Sequence, residues 1–475
     1  MDTQKTYENV NKLLKKHNQS HLLAFWDQLS ADKKQDLLSQ IDKLDLAKIE
    51  YWVENFVKKT APHEISSNLA PAPSYSPSPA GPEQQSHYAE ATELGRDLIK
   101  SGKVAAFVVA GGQGTRLGFD GPKGNFPISP VKNKTLFQIF AEYIAATSKK
   151  YQTTCPWYVM TSPLNHTQTV EVFESNDYYG LNKENVFIFQ QGTLPNFDFD
   201  GRILLADKST LSCSPDGHGG SLKALHTSGA LEDMKKRGVE FISYFQVDNP
   251  LINIFDPLFI GLHVLGKAEM SSKALIKTGP FEKIGNFCLV DGKITVIEYS
   301  DFPDNIAERR NPNGSLTFEL GSIAIHIISR TFVEKLNAGD FSLPLHKAVK
   351  KISHIDENGN PVKPNKPNGV KLESFVFDAS PLASNSIILQ TLRSEEFAPT
   401  KNATGVDSAE VTRRMMTARA AKWLESAGLT VPRKPDGTID CVLEITPGFA
   451  LEKEDVKAKL NQIPQIKPGD KIYLA

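Results

Sequence analysis

The apolar run Val104-Ala105-Ala106-Phe107-Val108-Val109-Ala110 ends on Gly111 and Gly112 and passes into the loop Gln113-Gly114-Thr115-Arg116-Leu117-Gly118. A strand without polar alternation is covered on both faces, which belongs to sheets with helices packed on each side. A loop this rich in glycine at the end of such a strand lets backbone N–H groups approach a ligand, because no Cβ intervenes. Gly121-Pro122-Lys123-Gly124 follows, so Arg116 and Lys123 add positive charge beside those N–H groups. A tight strand-to-helix turn would explain the glycines but would require neither cation. Spacing excludes two familiar loops: no Gly-x4-Gly-Lys-Ser/Thr string occurs, and the third glycine, Gly118, comes one position late for a dinucleotide fingerprint.

The surrounding pattern alternates strand with helix. Leu136, Phe140, Tyr143 and Ile144 form a helical stripe behind the capping residue Thr135. Trp157–Met160, Val186–Phe189 and Phe241–Val247 read as strands, and Leu222–Arg237 reads as one helix. This alternation predicts a mostly parallel sheet covered by helices. Phe287–Val290 and Lys293–Ile297 flank Asp291-Gly292, a two-residue hairpin signal that predicts an antiparallel insertion.

Both ends differ from this centre. Spacings of three and four in Leu22–Trp26 and Leu37–Leu44 predict amphipathic helices over residues 1–60, with Ser30 and Asp32 as caps. Residues 61–86 are packed with proline and serine and read as a linker. Residues 87–390 form the expected main domain. A small C-terminal domain is expected over 391–475, with a helix over Val411–Leu424 and a strand over Cys441–Ile445.

Composition excludes several function classes. A net charge of −1 over 475 residues gives no global field for nucleic acid or a membrane surface. The cysteines Cys155, Cys213, Cys288 and Cys441 form no CxxC pair, which argues against a disulfide framework or structural zinc. The polar start Met1-Asp2-Thr3-Gln4-Lys5 and the lack of a long apolar run make a cytoplasmic enzyme the expectation. Nothing in the sequence decides between monomer and homodimer.

Gly-Gly-Gln-Gly-Thr-Arg-Leu-Gly at 111–118 with Pro122-Lys123-Gly124 resembles the signature of the eukaryotic-type UDP-sugar pyrophosphorylases. The similarity is greatest to the UDP-N-acetylhexosamine branch and spans about residues 100–405. It continues in Phe189-Gln190-Gln191-Gly192, Ser214-Pro215-Asp216-Gly217-His218-Gly219-Gly220 and Val247-Asp248-Asn249. Glu282-Lys283-Ile284-Gly285, Val296–Ser300, Pro367–Lys371, Phe375-Val376-Phe377-Asp378 and Pro399-Thr400-Lys401-Asn402-Ala403 also match. Several motifs in the right order are far more specific than any one alone. The resemblance implies an α/β, Rossmann-like fold of the nucleotide-diphospho-sugar transferase type. It carries a mixed, mostly parallel sheet flanked by helices, an N-terminal helical region and a small C-terminal domain.

The resemblance also implies the chemistry: a sugar 1-phosphate attacks the α-phosphorus of UTP and pyrophosphate leaves. Two anions must meet, so the work is charge neutralisation and alignment. The resemblance places uracil against Gly111 and Gly112, with Gln191 and Gly217 also on the base. Arg116, Lys123 and Lys401 would grip phosphate. Asp248 is expected to hold Mg²⁺ from the end of an apolar strand, where such sheets bind ligands, with Asp378 as a second candidate. A helix cap is the competing role for Asp248. Gly285, Phe375 and Phe377 match the sugar pocket; the phenylalanines alternate as on a strand, so core packing competes for them.

Two positions depart from the nearest branch. His218 stands where those relatives carry Asn after Pro-Asp-Gly, and Ser322 stands where they have an Asn that contacts sugar. Both substitutions fall where the acetamido group or sugar hydroxyls would be read. Overall similarity makes N-acetylglucosamine 1-phosphate the first expectation, and these two departures count against it. Glucose or galactose 1-phosphate is the alternative, and a silent nucleotide-sugar-binding regulator is a third. A loop hydrogen bond is the structural role open to His218.

Overall fold

The computed structural model describes residues 3–59, 68–339 and 342–475. Part of the expected linker, 61–67, and the first two residues of the polar N-terminus lie outside the described residues. Two compact units are built from interleaved segments: Met1–Glu64, Gly192–Ser221 and Ser342–Val376 in one, and Ile65–Gln191, Leu222–Phe341 and Phe377–Ala475 in the other.

The second unit carries the main sheet. Its strands are β1 (Leu69–Pro71), β2 (Val104–Val109), β3 (Trp157–Thr161), β4 (Val186–Gln190) and β5 (Phe241–Gln246). They continue with β6 (Met270–Ile276), β7 (Gly285–Val290), β8 (Lys293–Ile297), β9 (Leu320–Ser329) and β10 (Ser386–Gln390). The main path runs β1-β7-β9-β5-β2-β3-β4, with β6 joined to β9 and β10, and β8 joined to β7. β5-β2-β3-β4 is wholly parallel, as the apolar strands predict. The other half is antiparallel except for the β6–β10 pair, so the sheet is mixed. The β7–β8 hairpin turns at Asp291 and Gly292 with φ of 50° and 78°, the positive values its sequence signals.

Helix Leu136–Tyr151 starts where expected, with the Thr135 hydroxyl accepting the Gln138 N–H at 3.2 Å. Phe137, Phe140 and Ile144 on it are buried with Val108, Trp157 and Phe245 of the sheet. One expectation needs correction. Leu222–Arg237 is two helices, Gly220–Thr227 and Ala230–Lys236, because Gly229 at φ 82° breaks the run. The C-terminal end builds a small core of its own: helix Ala409–Ser426 buries Leu424 with Leu443, Phe449 and Leu474, and Val442–Ile445 pairs in parallel with Lys471–Leu474.

In the first unit, Leu22, Trp26, Leu37, Ile41 and Ile49 are buried in one core with Phe197, Leu205, Val370 and Leu372. The stripe at Leu22–Trp26 is not an α-helix. It occupies two 3₁₀ turns, Ser20–Leu23 and Trp26–Gln28, whose three-residue period also fits the spacing. Helix Ala31–Asp42 follows, capped by Ser30 accepting from Lys33, while Asp32 lies in its first turn. Strand Gly369–Glu373 pairs with His346–Lys350.

Candidate active site

The Gly-rich loop is held by its carbonyls. Asn165 Nδ2 donates to the carbonyls of Ala110 and Gly112 at 2.8 and 3.1 Å, and Ser162 Oγ donates to that of Gly111 at 2.8 Å. The Lys123 N–H donates to the Gly112 carbonyl at 3.0 Å, and the Gly114 N–H to Gly121 at 2.9 Å. Three successive carbonyls are thus tied inward, and the N–H groups of Gly111 and Gly112 donate to no protein acceptor among the described residues. A loop fixed this way offers preorganised donors to an incoming ligand. Gln191, just past β4, is 7% exposed and anchored by its N–H to Thr161 at 2.8 Å. Its side-chain oxygen lies 2.5 Å from where a Cβ on Gly111 would be. Amide and glycine backbone are therefore adjacent.

Charge gathers beside this loop. Lys123, in the turn Lys123–Asn125, is only 8% exposed. Burial holds its ammonium below the usual lysine range; Asp248 opposes that shift, while Arg116 and Lys401 add to it. These four side chains act on one another electrostatically, so the structure brings together the three expected cations and the first expected metal ligand. Lys123 Nζ has no hydrogen-bond partner among the described residues, and Arg116 is exposed. A buried cation with two further cations around it suits an anionic ligand.

Asp248 follows β5 at the end of its apolar run. It is not a helix cap: that role belongs to Asp256, whose carboxylate accepts from Leu258 and Phe259 ahead of helix Pro257–Leu265. The Asp248 carbonyl accepts the Thr400 N–H at 2.8 Å, which brings Lys401 alongside. Asp378 lies in the turn Val376–Leu382. Asp407 shares the field of Asp248 and Lys401, with Lys401 Nζ at 4.0 Å from its Oδ2. Burial and Asp248 hold the Asp407 carboxyl above the usual range, against Lys401.

Gly285 and Ser322 are paired residues of β7 and β9, so those two expected sugar contacts are neighbours. A Cβ on Gly285 would lie 3.7 Å from that of Ser322. Phe377, buried at 6%, is not on a strand as its alternation suggested. Strand Gly369–Glu373 ends earlier, because Ser374 turns to bond the Asp216 carbonyl through both N–H and hydroxyl at 2.9 and 3.0 Å.

The first unit gathers the remaining expected residues. Gly217 has φ 82°, and a Cβ there would meet the Ser374 carbonyl at 2.3 Å, so only glycine fits. Phe375 stacks on His218 at 5.2 Å and on His346 at 4.4 Å between ring centroids. His218 does make a loop hydrogen bond: its Nδ1 faces the Val376 N–H at 3.1 Å and must accept. Burial, reinforced by His346, pushes its pKa down to about 4, so near neutral pH the ring is uncharged with its proton on Nε2.

Several contributors were not foreseen. Ser162 and Asn165 hold the loop from Ser162-Pro163-Leu164-Asn165, a sequence that reads as an ordinary turn. Lys273 and Glu396 form a buried ion pair; beside Ser271 and Ser272 in β6, the lysine carries no sign in the sequence that it is buried. A cavity of about 440 Å³ lies elsewhere, lined by Tyr143, Asn253, Arg419 and Trp423 and by none of the expected site residues. It is lined by already paired charges such as Glu395–Lys422 and Glu142–Lys134, so it offers less to an anion than the loop does.

The family model for UTP–glucose-1-phosphate uridylyltransferase matches residues 66–474. The chain belongs to this family. Among the uridylyltransferase family's curated members it is 37% identical to UDP-N-acetylhexosamine pyrophosphorylase-like protein 1 of Xenopus tropicalis, over 89% of this chain and 85% of that protein. It is 34% identical to UDP-N-acetylglucosamine pyrophosphorylase of Saccharomyces cerevisiae, over 89% and 92%. The fold matches the crystal structure of the uridine diphosphate N-acetylglucosamine pyrophosphorylase of Trypanosoma brucei with a TM-score of 0.82 at 25% identity, covering 100% of this chain and 98% of that one. Among the described residues, no helix is long and apolar enough to cross a membrane.

Proposed function

We propose that this chain is a uridylyltransferase that joins N-acetylglucosamine 1-phosphate to UTP, giving UDP-N-acetylglucosamine and pyrophosphate. The observation that carries this reading is the buried Lys123 ammonium, grouped with Arg116, Lys401 and Asp248 beside a loop in which the Gly111 and Gly112 N–H groups donate to no protein acceptor among the described residues. The similarity to pyrophosphorylases named for UDP-N-acetylglucosamine supports the sugar.

In the reaction, a phosphate oxygen of the sugar 1-phosphate attacks the α-phosphorus of UTP in line. The bond from the α-phosphorus to the bridging oxygen breaks, and pyrophosphate carries away that electron pair. No side chain needs to form a covalent bond. The N–H groups of Gly111 and Gly112, with the Gln191 amide, suit the donor and acceptor edge of uracil. Lys123 and Arg116 offset the repulsion between the two phosphates and the charge growing on the leaving group. Lys401 approaches from the segment bonded to Asp248. Gly285 leaves room for the sugar ring, and the Ser322 hydroxyl offers it a short donor or acceptor.

Mg²⁺ fits the donors available. It takes one or two carboxylates and fills its remaining positions with phosphate oxygens and water. Asp248 supplies a hard oxygen beside the phosphate-gripping cations. When bound, the ion would neutralise and orient phosphate oxygens. Among the described residues no group of three or more metal-ligating side chains occurs, so the phosphates would complete the coordination. The four cysteines are free thiols, three of them buried, which fits a reducing compartment.

The test is pyrophosphate release from UTP with N-acetylglucosamine, glucose and galactose 1-phosphates, with and without Mg²⁺. Turnover led by N-acetylglucosamine 1-phosphate and dependent on Mg²⁺ is expected. Release led by glucose 1-phosphate would reassign the sugar, and no release with any sugar would leave a nucleotide-sugar binder.

A further inference from the structure

Lys273 lies in the middle of β6, 1% exposed, where every neighbour in the run is buried except Ile276. Its ammonium donates to Glu396 Oε1 and Oε2 at 2.5 and 2.6 Å and to Asp256 Oδ2 at 2.6 Å. Burial alone would lower this lysine's pKa; Asp256 and Glu396 outweigh it and hold the charge in place. The Thr391 hydroxyl donates to Glu396 Oε2 at 2.5 Å, and the Asn253 N–H donates to Oε1 at 3.3 Å. A carboxylate buried this way has its acceptor positions filled and its orientation fixed.

From Glu396 the chain runs as a strap along the segment that carries Asp248. Asn249 Nδ2 donates to the Glu396 carbonyl at 2.6 Å, and the Ala398 N–H donates to Asn249 Oδ1 at 3.0 Å. The Thr400 N–H then donates to the Asp248 carbonyl at 2.8 Å, and Lys401 follows. Contacts therefore alternate at 396, 398 and 400, and Lys401 projects from the far end. Beyond it the Lys401 and Asn402 N–H groups donate to the Asp407 carbonyl at 2.7 and 3.1 Å, and Asn402 Nδ2 to the Val406 carbonyl at 2.8 Å, closing a loop whose residues 403–406 are exposed. One end of the strap is a buried ion cluster and the other carries the Lys401 ammonium.

We propose that Glu396, clamped by Lys273, is a positioning residue for Lys401: it fixes the strap against Asp248 and Asn249 so that the Lys401 ammonium meets phosphate in a set geometry. This rests on the phosphate role given to Lys401 above. A cation aligned before the reaction stabilises the transition state without reorganising, so loosening its support reduces turnover more than ground-state binding.

The experiment is a double-mutant cycle on the full chain with UTP, N-acetylglucosamine 1-phosphate and Mg²⁺, using Glu396→Gln, Lys401→Ala and both together, with melting temperatures recorded. Glu396→Gln is expected to lower kcat about ten-fold or more while KM for UTP changes less than about three-fold. In the Lys401→Ala background the same change should alter kcat less than about two-fold, because the cation being positioned is gone. If Glu396→Gln does not fold, Thr391→Val replaces it in the cycle. That change removes one hydrogen bond to Glu396 and keeps every charge, and a smaller kcat loss of about two- to five-fold, again absent without Lys401, is expected. Equal fold-losses with and without Lys401, or no loss of kcat, overturn the positioning role alone. Wild-type turnover in Lys401→Ala removes Lys401 from the mechanism and this inference with it.

Discussion

Replacing Lys123 by methionine separates the catalytic reading from a structural one, because the two predict opposite changes in stability. The side chain is 8% exposed, and burial depresses its pKa, so the folded chain bears a cost for holding the charge. Methionine keeps most of the length and removes the charge. The unliganded protein should therefore melt at an equal or higher temperature. A phosphate charge about 4 Å from the ammonium at an effective dielectric near 20 is worth about 4 kcal/mol. At about 1.4 kcal/mol per factor of ten, kcat/KM should fall about a thousand-fold. The assay pairs steady-state pyrophosphate release with thermal melting of the apo protein. Near wild-type turnover would remove Lys123 from the chemistry. A melting temperature lower by several degrees would show that the ammonium supports the fold instead.

Other outcomes follow from particular residues. Ser322→Asn restores an amide next to Gly285 and should raise kcat/KM for N-acetylglucosamine 1-phosphate relative to glucose 1-phosphate by about ten-fold; an unchanged ratio would show that this position does not read the substituent. Buried His263, set between the hydroxyls of Ser271 and Ser329 at 2.7 and 3.0 Å, has its pKa pushed down to about 3 by burial. The unfolded chain binds a proton there from about pH 6.5 downward and the folded chain does not, so this residue lowers stability as pH falls, by about 2 kcal/mol at pH 5. Chemical denaturation at pH 8 and pH 5 should show that difference shrinking by about that amount in His263→Gln, and an equal pH dependence would contradict the burial effect.

The parallel half of the sheet was legible because its strands carry their own signal: runs such as Val104–Ala110 and Phe241–Val247 must be buried on both faces. The β7–β8 hairpin was legible because Asp291-Gly292 can take the positive φ its turn needs. The grouping of Arg116, Lys123, Asp248 and Lys401 was legible for a different reason: all four sit in motifs whose order resembles one family. What could not be read depends on distant contacts. Nothing local says that Leu22 and Trp26 share a core with Val370 and Leu372, or that Ser374 turns away to bond Asp216 and ends a strand before Phe375 and Phe377. Glu396 was invisible because its partner, Lys273, is reached only by chain folding, and Asp407 because it takes the turn that bonds the Lys401 N–H to the Asp407 carbonyl to set the two side chains together.

The backbone of Gly112 is where the uridine-cradle claim is most exposed to test. A Cβ there would meet no protein atom within 4 Å, and its backbone is not in the left-handed region, so Gly112→Ala should leave the fold and melting temperature unchanged. If uracil packs against this backbone, the added methyl occupies the ligand's place. Calorimetric titration with UTP should then show affinity weakened by about ten-fold or more, equivalent to about 1.4 kcal/mol. UTP binding to Gly112→Ala as tightly as to the wild type would place the nucleotide somewhere other than this loop.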